Sequence, residues 1–340
     1  MPDAPLGRLT LLAPVPAPTT NFAPVWLAAG LGYAAEEGLD LRIEIAGSPK
    51  EAADGVIAGH GDLTFINVVF TLLARDRGVP FCPFYAFVRA QNRAFSVPVA
   101  SPIRDIAGLR GKTIGLHYDD PELFDFACAV LRGSGIDPTR DVAFKTLPGT
   151  PLDAPRMADA IRGNEVDAIW QLDVFAGFMA AEGVPLRLLP APMIDRLTPS
   201  SCFNAMDATL AAKPEALGAF GRAVAKATLF ALGNPERAVR TMWRCFPDAA
   251  PPPGTDAGQA FRRERAALDV RLAGHRIDSA PIPLWGAISA PEIAAWQDFL
   301  LATGAIHTRR APEVYFSDAL VGAFNDFDPA PVLAAAPGET

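Results

Sequence analysis

The chain holds no uninterrupted apolar run of about 18 residues, the length a membrane-spanning helix needs, so no transmembrane segment is expected. It also lacks any block of Lys and Arg. Its 30 basic residues are scattered and outnumbered by 38 acidic ones, leaving a formal charge of −8. Phosphate backbones and anionic membranes select clustered cations, so nucleic acid and membrane surfaces are not expected partners. Cysteine is scarce: Cys82, Cys128, Cys202 and Cys245 show no CxxC spacing of the zinc or dithiol kind. Each lies in or beside an apolar run and reads as a small buried hydrophobe, with a disulfide left open. Histidine is as scarce. His60, His117, His275 and His307 are far apart, and no HExxH, GxSxG or P-loop motif occurs. No catalytic residue, metal or cofactor is therefore expected. A secretory signal needs a basic start and an unbroken apolar stretch. Here Asp3 lies between Pro2 and Pro5, and the run from Leu9 is interrupted by Pro14, Pro16 and Pro18. No signal peptide is expected in this chain.

What is present is ordinary globular composition, half hydrophobic and a fifth charged, over 340 residues. That length exceeds one compact core, so two lobes are expected. The first half alternates short apolar runs with helical patterns, the signature of βαβ units and a largely parallel sheet. Strands are expected over 8–15, 39–45, 63–66, 166–170 and 186–189, and another is introduced by 109–115. Helices are expected over 23–37, where Gly38 supplies the stop, over 49–58 and up to about Arg77. Ser48, Pro49 and Glu51 form a capping box, and Asp120-Pro121 reads as another helix start. From Lys213 onward the pattern is mostly helical, with a loop at Pro251–Gly254 and a frayed tail over 331–340.

Three segments taken in order resemble a known family. They are Asn21-Phe22-Ala23-Pro24 continuing to Glu36-Glu37-Gly38-Leu39-Asp40-Leu41; Ala53 to Phe65 with Gly59, Gly61 and Asp62; and Ile106 to Gly115. Weaker likenesses follow at Val166–Trp170 and from Lys213 to Glu236. Together they are similar to the nitrate/taurine/aliphatic-sulfonate type of ABC-transporter substrate-binding proteins, whose fold is shared with thiamine-pyrimidine-precursor synthases and binders. The resemblance implies an α/β fold of the two-lobed periplasmic-binding-protein type II, each lobe a mostly parallel sheet flanked by helices. It implies one lobe of 8–97 plus 203–330, another of 98–202, and hinge closure on a small molecule between them.

In open α/β sheets, ligands bind beyond the carboxyl ends of the strands. That rule selects Thr20, Asn21 and Phe22; Gly47 and Ser48; Asn67; Tyr118, Asp119 and Asp120; and Trp170, Gln171 and Asp173. Tyr85 and Asn204 are two further candidates, and His117 stands beside Tyr118 and Asp119. Each has a plainer reading. Asn21 can serve a turn, Ser48 and Asp120 can cap helices, and Trp170 can be core. Asp119 has no capping duty. Two carboxylates at one turn repel an anion. The ligand is thus expected to bring a cationic or donor-rich nitrogen group, such as an aminopyrimidine or another N-heterocycle.

Two functions follow. One is a monomeric solute-binding protein that serves an ABC permease in the periplasm. The other is a cytoplasmic enzyme on the same scaffold, of decarboxylase, desulfinase or pyrimidine-precursor synthase type. The missing catalytic constellation favours the first, and the missing signal peptide the second. The histidine-rich and cysteine-bearing strips of the pyrimidine synthases are not evident.

Overall fold

The computed structural model describes residues 6–116, 121–147, 154–278 and 280–335. Ten strands run in chain order: β1 Gly7–Ala13, β2 Leu39–Ile45, β3 Leu63–Asn67, β4 Phe81–Val88, β5 Arg93–Pro98, β6 Lys112–Leu116, β7 Val142–Thr146, β8 Ala168–Leu172, β9 Leu186–Leu188 and β10 Ser201–Met206. They form two five-stranded sheets, ordered β2-β1-β3-β10-β4 and β7-β6-β8-β5-β9. In each sheet four strands share one direction. The fourth in order, β10 or β5, runs against them. The largely parallel pattern expected from sequence therefore holds apart from one antiparallel strand per sheet.

The chain divides into two compact units. The first comprises Met1–Arg89, Pro199–Ile293 and Ala311–Thr340; the second comprises Ala90–Thr198 and Ala294–Arg310. The sequence reading had kept 294–310 with the first lobe. In the structure Trp296 and Phe299 pack on Phe126 of the second unit, with ring centroids 5.7 and 6.1 Å apart. Large aromatic rings place a segment where they bury, and no local pattern announces that partner.

In the first unit β3 and β4 are buried along their whole length. Burial on both faces is what a near-continuous apolar run supports. β2 lies at the edge and alternates: Leu39, Leu41 and Ile43 turn to the core, while Asp40 pairs with Arg8 at 2.8 Å outside. Pro83 in β4 donates no hydrogen bond, and it is tolerated because β4 is the opposite edge strand, with a register shift beside it. Behind the sheet Phe65, Phe87, Phe203 and Phe220 interlock at centroid distances of 4.7–5.8 Å. The Pro214–Gly233 helix covers them. By length and composition it could cross a membrane, yet 72% of its apolar window is buried within the protein, as in a core helix. Its Arg222 and Lys226 both reach Glu37, at 2.7 and 2.5 Å.

The helix expected over 23–37 is two pieces, Ala23–Gly30 and Tyr33–Glu36. Gly32 sits at φ +82° between them, a left-handed turn that interrupts the hydrogen-bond ladder. Of the capping box at Ser48 the serine half forms, while the Glu51 carboxylate meets the Ser48 hydroxyl in place of its backbone N–H. Ser48 Oγ accepts from Glu51 N at 3.2 Å and donates to the Glu51 carboxylate at 3.0 Å.

Candidate functional site

The site is built on the first unit, where β1, β3 and β4 end and β10 begins. Beyond β1, Thr19 Oγ1 accepts from Asn21 N at 3.3 Å and winds Thr20–Phe22 into a single 3-10 turn. The turn buries Thr20 and Asn21 completely. Phe22 stands edge-on to Phe65 at 4.9 Å, which anchors the turn to the sheet. Residues 65 and 67 share one face of β3. Asn67 therefore lies on the side that carries Phe22.

Three side chains here have one polar atom used and the other buried without a partner. Asn21 Oδ1 accepts from Arg271 Nε at 2.9 Å, so its NH2 group is the edge left over. Asn67 Oδ1 caps the Val68–Asp76 helix by accepting from Val69 N at 3.0 Å, and its NH2 group is left over too. His275 ends the Ala257–His275 helix, one turn after Arg271. Its Nδ1 lies 2.6 Å from the Phe87 carbonyl oxygen, which can only accept, so Nδ1 carries the proton. Burial, aided by the Arg271 charge, holds the imidazole pKa down to about 3 against the ordinary 6.5. The ring is thus neutral, and Nε2 is a bare lone pair with no partner among the described residues. Thr20 Oγ1 is also unpartnered. Leaving such a group dry costs about 1–3 kcal/mol. Two NH2 donors and one lone-pair acceptor are thus left over on neighbouring elements of this unit, the complement of what an occupant here would bring.

The buried cations nearby are engaged. Arg271 bonds Asn21 and lies 5.5 Å from the centre of the Phe22 ring. Arg89 donates to Glu292 at 2.6 Å and to the Ala287 carbonyl at 2.8 Å.

The other sequence candidates are placed differently. Ser48 spends its hydroxyl on the helix cap, with Gly47 before it in a left-handed turn at φ +89°. Tyr85 and Asn204 lie in mid-strand, not at a strand end. Tyr85 packs on Phe203 and Phe324. Asn204 is satisfied by Thr71 Oγ1 at 2.7 Å and the Cys202 carbonyl at 2.6 Å. In the second unit Trp170 is core, tilted against Phe95 at 4.5 Å and edge-on to Phe126. Gln171, fully buried on the opposite face, accepts from Leu172 N at 2.8 Å. Asp173 Oδ1 accepts from Val174 N at 2.8 Å. His117, Tyr118, Asp119 and Asp120 lie outside the described residues. The structure thus brings together Thr20, Asn21, Phe22 and Asn67. It adds Arg271 and His275, for which the only sequence signal is their spacing of four on one helix.

All four cysteines are free. Burial pushes the Cys82 thiol up to about 12, Cys128 up to about 11 and Cys202 higher still, so these three are held protonated. Among the described residues, no group of three or more His, Cys, Asp or Glu side chains is placed to hold a metal ion.

Two sheets with one reversed strand each, in units between which the chain crosses four times, define the periplasmic-binding-protein class of fold. Solved structures agree. SsuA, the periplasmic aliphatic sulphonate binding protein of Escherichia coli, superposes with a TM-score of 0.65 at 15% identity, covering 93% of this chain and 99% of that one. A protein of Bordetella bronchiseptica RB50 gives 0.70 at 18%, over 94% and 97%. The desulfurization enzyme DszB gives 0.61 at 16%, over 94% and 98%. Residues 19–238 match the family described as NMT1/THI5 like, and the chain belongs to that family. Curated relatives include the 4-amino-5-hydroxymethyl-2-methylpyrimidine phosphate synthase of Schizosaccharomyces pombe, 24% identical over 230 residues, 64% of each chain. The riboflavin-binding protein RibY of Chloroflexus aurantiacus is 25% identical over 250 residues, 68% of this chain and 65% of that one. The chain thus spans just under two thirds of the length of these two relatives.

Proposed function

We propose that this protein binds a neutral, planar N-heterocycle at the strand ends of its first unit and presents it to an ABC-type importer from the periplasm. The observation that carries the reading is the pair of buried amide donors, Asn21 Nδ2 and Asn67 Nδ2, beside cations that are already neutralised or engaged. Amide NH2 groups suit ring nitrogens and carbonyls, and Phe22 offers an apolar wall for a flat ligand. The compounds in the relatives' names, the pyrimidine phosphate of the synthase and the riboflavin bound by RibY, are built on planar N-heterocycles. The fold likeness to SsuA supports the binding role.

A synthase on the same scaffold is the second reading, favoured by the curated pyrimidine synthases. It differs in predicting turnover of the bound compound.

A thermal-shift screen of the full chain tests the proposal with riboflavin, the hydroxymethyl aminopyrimidine, taurine and MOPS. A ligand at a hundred times its Kd stabilises the folded form by about 2.7 kcal/mol, enough to move the midpoint by several degrees. At least one heterocycle is expected to do so without being consumed. A shift with a sulfonate and none with either heterocycle overturns the proposal.

A further inference from the structure

We infer that His275 is a specificity-determining ligand contact, a fixed hydrogen-bond acceptor that reads an N–H or amino group on the heterocycle. The inference rests on the proposed heterocycle binding and sharpens it into a donor–acceptor pattern.

The geometry leaves the imidazole one role. The Phe87 carbonyl takes the Nδ1 proton at 2.6 Å, and the Phe87 ring lies against the imidazole with centroids 4.5 Å apart. The ring can neither flip nor change tautomer without losing that bond, which is buried from solvent. Nε2 lies across the ring from Nδ1, so it faces away from the Phe87 carbonyl, and no donor among the described residues meets it. The charged group on the same helix face is Arg271, one turn earlier, and its Nε proton goes to Asn21. Asn21 is tied through Arg271 to the helix that His275 ends, one turn earlier, so a leftover donor and a leftover acceptor are carried by adjacent turns of one element.

Such a set is asymmetric in what it accepts. A sulfonate brings acceptors only, so it could satisfy the amides while setting an oxyanion against the Nε2 lone pair. A heterocycle with adjacent acceptor and N–H groups satisfies both. An imide edge, or a ring nitrogen beside an exocyclic amine, has that pattern. A site with a buried acceptor rejects an analogue that lacks the matching donor, because the acceptor is then left unpaired.

Calorimetry on the full chain tests this with two probe pairs: riboflavin and its ring-N-methylated form, and the hydroxymethyl aminopyrimidine and its N,N-dimethylamino form. Methylation removes the donor and keeps the ring. For the parent that binds, methylation is expected to weaken affinity to the wild type roughly ten- to a hundredfold. His275→Phe should weaken the parent by a similar factor and be indifferent to methylation. His275→Gln, which offers an amide oxygen, should recover part of the loss. If His275→Phe does not fold, imidazole nitrogen NMR of the wild type decides. With four histidines in the chain, the His275 Nε2 resonance is assignable. It should move on saturation with the parent while Nδ1 keeps its proton. Equal binding of parent and methylated probes, or an unmoved Nε2 resonance, overturns the inference while heterocycle binding stands. If neither parent binds, the proposed function falls and the inference falls with it.

Discussion

His275 is a base kept from its proton by burial, and that makes it a liability in acid. Its folded pKa of about 3 lies below the ordinary 6.5, so the unfolded chain takes up the proton first as pH falls. The stability of the neutral, buried form is whole above about pH 6.5 and is lost progressively between 6.5 and 3. The slope is at most about 1.4 kcal/mol per pH unit for one proton. Urea midpoints at pH 7 and pH 5 should therefore diverge less in His275→Gln than in the wild type. Equal divergence would show that the imidazole is not buried neutral. At this scale the sequence was partly legible. The positions of Asn21 and Asn67 were readable because a residue just past a strand has a place in space that follows from the fold class. His275 was not, because its partner Phe87 is 188 residues away and no local pattern links them. Trp170 shows the converse: its position at the end of an apolar run was readable, but its neighbours Phe95 and Phe126, which make it core, were not.

Elements were most legible where local chemistry decides them. The Leu39–Ile45 strand, the Ser48 cap and the Gly38 and Gly59 stops all rest on residues adjacent in sequence. β4, β5, β7 and β10 escaped the reading. β4 carries Pro83, and β10 mixes Ser, Cys and Asn into its apolar run, so each is recognisable as a strand only beside the other. Close approach between elements was equally invisible. Gly221 in the Pro214–Gly233 helix lies under Phe324, where an added Cβ would fall 2.0 Å from the ring edge. Phe324 is itself packed on Tyr85 at 4.9 Å and is fully buried. Gly221→Ala should lower stability by about 1–3 kcal/mol despite alanine's better helix propensity. Denaturant midpoints check this. A stabilised variant would mean that Phe324 does not sit on that helix.

The chain leaves the first unit after Arg89 and again after Ile293, and one buried ion pair joins these two places: Arg89 Nη2 to Glu292 at 2.6 Å. Glu292 is held in turn by Ser289 through its N–H and hydroxyl, at 3.0 and 2.8 Å. Removing one partner strands a buried charge. Arg89→Met should destabilise by about 3–5 kcal/mol, and adding Glu292→Leu should restore much of it. A double variant no better than the single one in urea unfolding would refute that description. For the molecule as a whole, the order of short motifs carried the fold, since each is weak alone and only their sequence of spacings is specific. The proposed ligand was less legible because the proposal rests on atoms left over after folding, which no string of residues displays. The most direct measurement is therefore a crystal structure of the full chain with the heterocycle that gives the largest thermal shift. Ring acceptors should lie about 3 Å from Asn21 Nδ2 and Asn67 Nδ2. A heterocycle bound away from both asparagines would contradict the central claim.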